Sequence, residues 1–168
     1  TDDDPPFAVL QELVTESAEV DPADWIRPPE DPDALAVLQF TSGSTAEPKG
    51  VMLPHRTICA NLDACCEAGG LIDDETFVSW LPLYHDMGLV GMFTIPATTG
   101  AKLVIGAPQD FLARPARWMQ WLSDYKGTTT AGPNFSWVLA TRALKRMEGL
   151  DLSPTRLLLN GAEPVDPK

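Results

Sequence analysis

Long apolar runs are missing from this sequence: nowhere do about eighteen apolar residues follow one another, so no segment reads as a membrane span. Cysteine is scarce too. Cys59, Cys65 and Cys66 sit close together and cannot all pair, and adjacent Cys65 and Cys66 make a poor disulfide. No second cluster offers metal-ligand spacing, so no metal site is expected, and the thiols are expected to stay reduced on a helix of a cytoplasmic protein. Basic residues are nearly absent from the first 33 positions, where Arg27 alone stands against eleven acids. The rest, with 13 acids and 11 bases, is close to neutral. A net charge of −12 makes nucleic acid and anionic membranes poor partners, and it points to a small-molecule site in the neutral part.

What is present supports a folded domain. The 168 residues fall in the one-domain range, and 44% hydrophobic content is enough for a core. Residues 1–33 carry Pro5, Pro6, Pro22, Pro28, Pro29 and Pro32 among their acids and read as a connector or preceding segment, with one short helix or strand from Phe7 to Val14. Residues 34–168 alternate apolar runs with amphipathic stretches. Strands are expected at Ala36–Phe40, Thr76–Trp80, Lys102–Ile105, Thr128–Ala131 and Arg156–Leu159. A helix follows Pro54, with Ile58, Leu62 and Cys65 at helical spacing. Another starts at Pro115, with Trp118, Trp121, Leu122 and Tyr125 on one face and Gly127 at its stop. A third runs from about Pro133 to Met147, burying Phe135, Val138 and Leu139. The apolar stretch from Met87 to Thr99 is read as helical despite Gly88, Gly91 and Pro96. This alternation predicts an α/β fold, a mostly parallel sheet with helices on both faces, whose ligands gather beyond the carboxyl ends of the strands.

Thr41-Ser42-Gly43-Ser44-Thr45-Ala46-Glu47-Pro48-Lys49-Gly50 follows the first of these strands and crowds four hydroxyls, two glycines and a lysine into ten positions. Glycine lets successive N–H groups face one point, hydroxyls add donors, and Lys49 adds a point charge; together they suit a polyphosphate. Lys49 stands before Gly50 and Val51, so this is not a Walker A loop. Taken alone, the segment reads equally well as a polar strand-to-helix turn. Two later segments also begin just after expected strands: Trp80-Leu81-Pro82-Leu83-Tyr84-His85-Asp86-Met87-Gly88-Leu89 and Asn160-Gly161-Ala162-Glu163-Pro164. All three are expected to converge on one edge of the sheet.

In this order the three segments resemble the motifs of adenylate-forming enzymes, and the Tyr84-His85-Asp86-Met87-Gly88 form of the second resembles the fatty acyl-AMP ligase branch. The resemblance covers the chain from about Ala34 to Lys168 and implies part of the large N-terminal domain. The implied reaction joins a fatty acid to ATP, giving acyl-adenylate and pyrophosphate. The acyl group then passes to an acyl carrier protein of a polyketide or peptide synthase. By this resemblance Thr41, Ser42, Gly43, Ser44, Thr45, Lys49 and Gly50 hold the β and γ phosphates, with Lys49 assisting electrostatically. His85, Asp86 and Met87 lie at the carboxylate and α-phosphate end, where His85 donates to the reacting oxygens. Gly161, Ala162 and Glu163 lie along the adenine ring, and Asn134 and Phe135 stand beside the acyl tunnel. Ala46 replaces the family's usual glycine, a departure common among acyl-AMP ligases.

On the residues alone, plainer readings remain open. His85 reads as a structural histidine, Asp86 as a helix N-cap, Glu163 as an exposed loop acid, and Phe135 with Trp137 as core. The resemblance further implies that the magnesium-binding acid, the ribose-binding aspartate and a catalytic lysine follow Lys168. The sequence is therefore expected to be an enzyme fragment that does not complete the reaction alone. The competing identities are an acyl-CoA synthetase, a peptide-synthase adenylation domain, and a non-catalytic module of the same fold.

Overall fold

The structure, a computed structural model, describes residues 21–24, 26–41, 49–72 and 74–164. The chain divides into two units, Thr1–Pro32 and Asp33–Lys168. In the first, a 3₁₀ turn spans Pro22–Asp24, and Asp21 Oδ1 accepts from the Ala23 N–H at 2.9 Å. Arg27 and Glu30 form an exposed ion pair. The segment expected from Phe7 to Val14 lies outside the described residues.

The second unit starts with a hairpin. β1 (Leu35–Thr41) pairs antiparallel with β2 (Lys49–Pro54), Phe40 opposite Gly50 and Thr41 opposite Lys49. Two expectations are corrected here. The first strand joins β2 rather than the parallel sheet, and the hydroxyl-rich segment connects two antiparallel strands instead of leading from strand to helix. Alternation explains the ribbon: Gln39, Val51 and Leu53 turn to one side, while Leu38 and Met52 face each other on the exposed side. Pro54 sits with extended backbone between β2 and α1 (His55–Gly69), where its missing N–H costs no hydrogen bond. Leu62 is buried, with Ile58 and Cys66 packed against the core. Cys65, expected on that face, is exposed; burial, then the charges of Cys65 and Asp63, pushes the Cys66 thiol up.

Four parallel strands form the main sheet in the order β4-β3-β5-β6, with β3 at Thr76–Ser79, β4 at Lys102–Ile105, β5 at Thr129–Pro133 and β6 at Leu157–Gly161. Every residue of β3 is buried, as fits a strand covered on both faces. Phe77, Thr129, Ala131 and Leu157 turn toward α1 and the segment after β3. On the opposite face Thr130 meets α4 (Ala116–Asp124), where Trp118 Nε1 donates to Thr130 Oγ1 at 2.9 Å. Helices therefore cover both faces, as predicted. Tyr125, expected to extend the buried stripe of α4, lies past its end and is exposed.

The stretch after β3 comes in two pieces. A π-helical segment, Met87–Thr94, runs into the short α2 (Ile95–Thr99), with the Ile95 N–H donating to Val90 O. α3 (Pro108–Ala113) has no counterpart in the sequence reading. α5 (Asn134–Leu144) buries Ser136 and Ala140, whereas Phe135 and Val138 are half exposed. The expected apolar face of α5 is thus wrong for Phe135 and Val138, whereas Leu139 does pack against the core. A Cβ at Gly132 of β5 would lie 2.4 Å from Ser136 Oγ, so helix and strand approach closely there and small residues fill the contact.

At the amino ends of the strands, buried Glu75 pairs with Arg156 and accepts from Thr129 Oγ1 at 2.9 Å, from Thr128 Oγ1, and from the Ile72 N–H at 3.3 Å. Arg156 also donates to Gly70 O at the end of α1, at 2.9 Å. Arg156→Met should destabilise the protein by about 3 kcal/mol in urea unfolding, because it strands a buried carboxylate. Adding Glu75→Gln should recover part of that loss. Nearby, Lys126 and Ser153 donate to Asp151 and hold its carboxyl down at about 2. Because that value is depressed, the pair's contribution is present above the ordinary carboxyl value of about 3.9. It is lost as pH falls through about 2. An NMR titration should find Asp151 near that value and Lys126→Met should move it up.

Candidate functional site

The sheet's strand order reverses at β3: the chain goes from β3 to β4 on one side, then to β5 on the other. Ligands of open α/β sheets bind beyond the carboxyl ends at such a point. The residues leaving β3 there are tightly fixed. The Leu81 N–H donates to Ser79 Oγ at 3.1 Å, and Pro82 O accepts from the His85 N–H at 3.2 Å. Gly88 returns against the same carbonyl, where a Cβ would lie 2.2 Å from Pro82 O, so the turn requires glycine. Asp86 Oδ1 accepts from the Met87 N–H at 2.7 Å, capping the π-helical segment as an aspartate does at a helix start. His85 Nδ1 lies 2.8 Å from Asp86 Oδ1 and 3.3 Å from Met87 N. Both contacts engage Nδ1, which accepts from the Met87 N–H or, when protonated, donates to the carboxylate; either leaves Nε2 as the atom to meet a ligand.

The ends of β5 and β6 are fastened to each other. Asn160 Nδ2 donates to Asn134 Oδ1 at 2.9 Å, Asn134 Nδ2 donates to Pro164 O at 3.4 Å, and the Phe135 N–H donates to Glu163 Oε1 at 3.4 Å. Glu163 therefore meets the first turn of α5, where a carboxylate is favoured. Between these contacts Ala162 holds a left-handed backbone, φ 72°, which L side chains rarely adopt.

A cavity of about 610 Å³ lies at this edge. His85, Asp86, Met87, Val90 and Gly91 line one side and Ala162 another; Gln39, Val51 and Leu53 of the hairpin and Thr57, Ile58, Asn61 and Cys65 of α1 complete it. It therefore gathers four of the residues singled out in the sequence. Gly161 stands behind Ala162, 3.7 Å from the Met87 sulfur when measured to a built Cβ. Asn134, Phe135 and Glu163 do not line this cavity and are engaged with the turn after β6. Lys49 and Gly50 sit at the loop end of the hairpin, Lys49 opposite Thr41. Ser42, Gly43, Ser44 and Thr45 lie outside the described residues, although the strands that carry them form one wall of the cavity.

Sequence reasoning missed Gln39, Thr57 and Asn61. The last two are polar residues four apart on α1, a helical spacing beside the apolar stripe of Ile58 and Leu62 that could have marked them. A second, mostly apolar cavity of about 400 Å³ adjoins the first, between α1, the π-helical segment and the sheet. Among the described residues no three or more His, Cys, Asp or Glu side chains group as metal ligands. Nor is any described helix long and apolar enough to cross a membrane.

A family model described as AMP-binding enzyme matches residues 3–168. The chain is 41% identical over 143 residues to the medium-chain-fatty-acid–[acyl-carrier-protein] ligase JamA of Moorena producens, covering 84% of this chain and 24% of that protein. It is 40% identical over 144 residues to the long-chain-fatty-acid–AMP ligase FadD26 of Mycobacterium marinum, covering 82% of this chain and 25% of that protein. The chain thus spans about a quarter of the length of these curated relatives. Among solved structures, a fatty acyl-adenylate ligase from L. pneumophila in complex with acyl adenylate and pyrophosphate matches with TM-score 0.77 and 37% identity, over 86% of this chain and 26% of that one.

Two substitutions test the site's frame. Gly88→Ala should cost about 2 kcal/mol or more by forcing the His85 turn off Pro82, read as a lowered melting temperature and shifted His85 resonances. Ala162→Gly should raise stability by about 1 kcal/mol by removing the left-handed strain, measured by urea unfolding.

Proposed function

The chain belongs to the AMP-binding enzyme family, and we propose that it is the part of a fatty acyl-AMP ligase that binds ATP and the fatty acid. The observation that carries this reading is the cavity where His85, Asp86, Met87 and Ala162 meet the inner face of the β1–β2 hairpin. In the proposed reaction a carboxylate oxygen attacks the α-phosphorus of ATP. The new O–P bond forms as the bond from that phosphorus to pyrophosphate breaks, and pyrophosphate leaves with the electron pair. Two anions must approach each other, so the site has to offset negative charge. The hydroxyls and amides of Thr41–Thr45, with Lys49 and Gly50, hold the β and γ phosphates at the hairpin. With both ring nitrogens protonated, His85 donates from Nδ1 to Asp86 and from Nε2 to the oxygens that gain charge at the α-phosphate.

Gly161 and Ala162 bring bare backbone against the adenine ring, and Glu163 fixes that turn from the start of α5. The adjoining apolar cavity suits the hydrocarbon of a fatty acid; Phe135 does not line it and stands beside Trp80 and Phe111. JamA and FadD26 are named as fatty acid ligases of this kind, and JamA as one acting on an acyl carrier protein. We extend both features to the protein that contains this chain: transfer goes to a carrier protein of a polyketide or peptide synthase, in the cytoplasm. Magnesium is proposed to be bound by residues outside those described.

Full-length protein incubated with ATP, a fatty acid and either carrier protein or coenzyme A should release pyrophosphate and load the carrier. Formation of acyl-CoA instead would reject the AMP ligase branch in favour of a synthetase. His85→Ala should lower kcat at least tenfold with a smaller change in KM for ATP, whereas Lys49→Ala should mainly raise that KM; normal turnover by the His85 variant would return His85 to a scaffold role.

A further inference from the structure

The two cavities are not independent. They share three lining residues, Cys65 of α1 and Met87 and Gly91 of the π-helical segment. At Gly91 a Cβ would find nothing within 4 Å, so the space at that point is open on the side where any other residue would project. The first cavity is bordered by His85 and Asp86, and the second is walled largely by apolar groups such as Phe77, Met92 and Leu157. We propose that Gly91 is a specificity-determining residue: its missing side chain opens the passage by which the hydrocarbon of a long fatty acid runs from the His85 end into the apolar cavity.

The chemistry follows from the two linings. A carboxylate stays where the His85 donor is, while methylenes gain by leaving water for the second cavity. Short acids end before Gly91 and do not use the passage. Long acids must cross it, so their binding depends on Gly91 having no side chain. Met87 and Cys65 line both cavities at the same junction. Nothing in the backbone demands glycine here: among the described residues, the glycines with positive φ are Gly70, Gly100 and Gly149, and Gly91 is not one of them. Its role is therefore the space it leaves, and a helix accepts alanine at such a position more readily than glycine.

This inference rests on the fatty acid reading above, and the test separates the two. Full-length wild type, Gly91→Ala and Gly91→Leu would each be assayed for pyrophosphate release across fatty acids from about six to sixteen carbons. Displacement of a bound fluorescent fatty acid by the same series would be measured in parallel without ATP. The expected result is a stepwise fall in the long-to-short ratio of kcat/KM, a few-fold for Gly91→Ala and at least tenfold for Gly91→Leu, with the same order in the displacement assay. Melting curves matching wild type confirm that the variants fold. An unchanged length profile in folded Gly91→Leu overturns the passage. Wild type that binds the acids in the displacement assay but releases no pyrophosphate overturns the ligase reading and leaves the passage standing on binding alone. Wild type that binds none of the acids overturns both.

Discussion

A carboxylate buried at the wrong end of the sheet for catalysis holds the rest in place. Glu75 precedes β3, Thr128 and Thr129 stand at the start of β5, Arg156 precedes β6, and Gly70 ends α1; one network ties all four. Burying an ion pair costs desolvation, and such a pair adds little net stability over apolar packing. What it supplies is direction. Hydrogen bonds in a low-dielectric interior tolerate little displacement, so three strands start from one fixed point. Their register then decides which residues emerge together at the opposite edge, and those include His85, Asn134 and Ala162.

The parallel sheet was legible because its strands are short apolar runs bounded by turn residues. Lys102–Ile105 was located to the residue, and β3 carries Phe77 and Val78 within a run buried on both faces. The hairpin was not legible. β2 starts inside a segment whose hydroxyls, proline and glycine all signal a turn, and Gly50 is paired with Phe40 only through tertiary contact. α5 failed in part and for a different reason: Trp137 and Leu139 do pack against the core, yet Phe135 and Val138 stay half exposed because the close approach to Gly132 is made by Ser136. Periodicity reports which positions share a face, and packing distance decides which face is buried.

Site residues divide along the same line. His85 and Asp86 were visible because their chemistry and their turn coincide in sequence, and Asp86 serves the capping role that its type suggests. Asn134 and Glu163 were read toward ligands, whereas the folded chain spends their polar atoms on each other's segments. A polar side chain in a loop can satisfy the backbone as readily as a substrate, and sequence alone does not say which. Gln39, Thr57 and Asn61 escaped notice because each lies in an element whose apolar residues drew attention. Their place in the wall follows from the hairpin and α1 meeting the sheet edge.

That meeting has a mechanical origin. The cavity needs walls from two sheets that share no strand: the antiparallel hairpin and the parallel sheet. α1 joins them covalently and sterically. Its first residue follows Pro54 at the end of β2, and its last turn is gripped through Gly70 by the Arg156 that pairs with Glu75. A helix of 15 residues is a rod of about 22 Å, stiff on the scale of a side chain. The ion pair at one end of the sheet thus sets, through that rod, where the hairpin stands at the other. For the proposed reaction between two anions this spacing would matter more than any single donor, since a misplacement of about 1 Å can cost a hundredfold in rate. The hairpin and the strand ends stand on opposite sides of the cavity, so the distance between them is a property of α1.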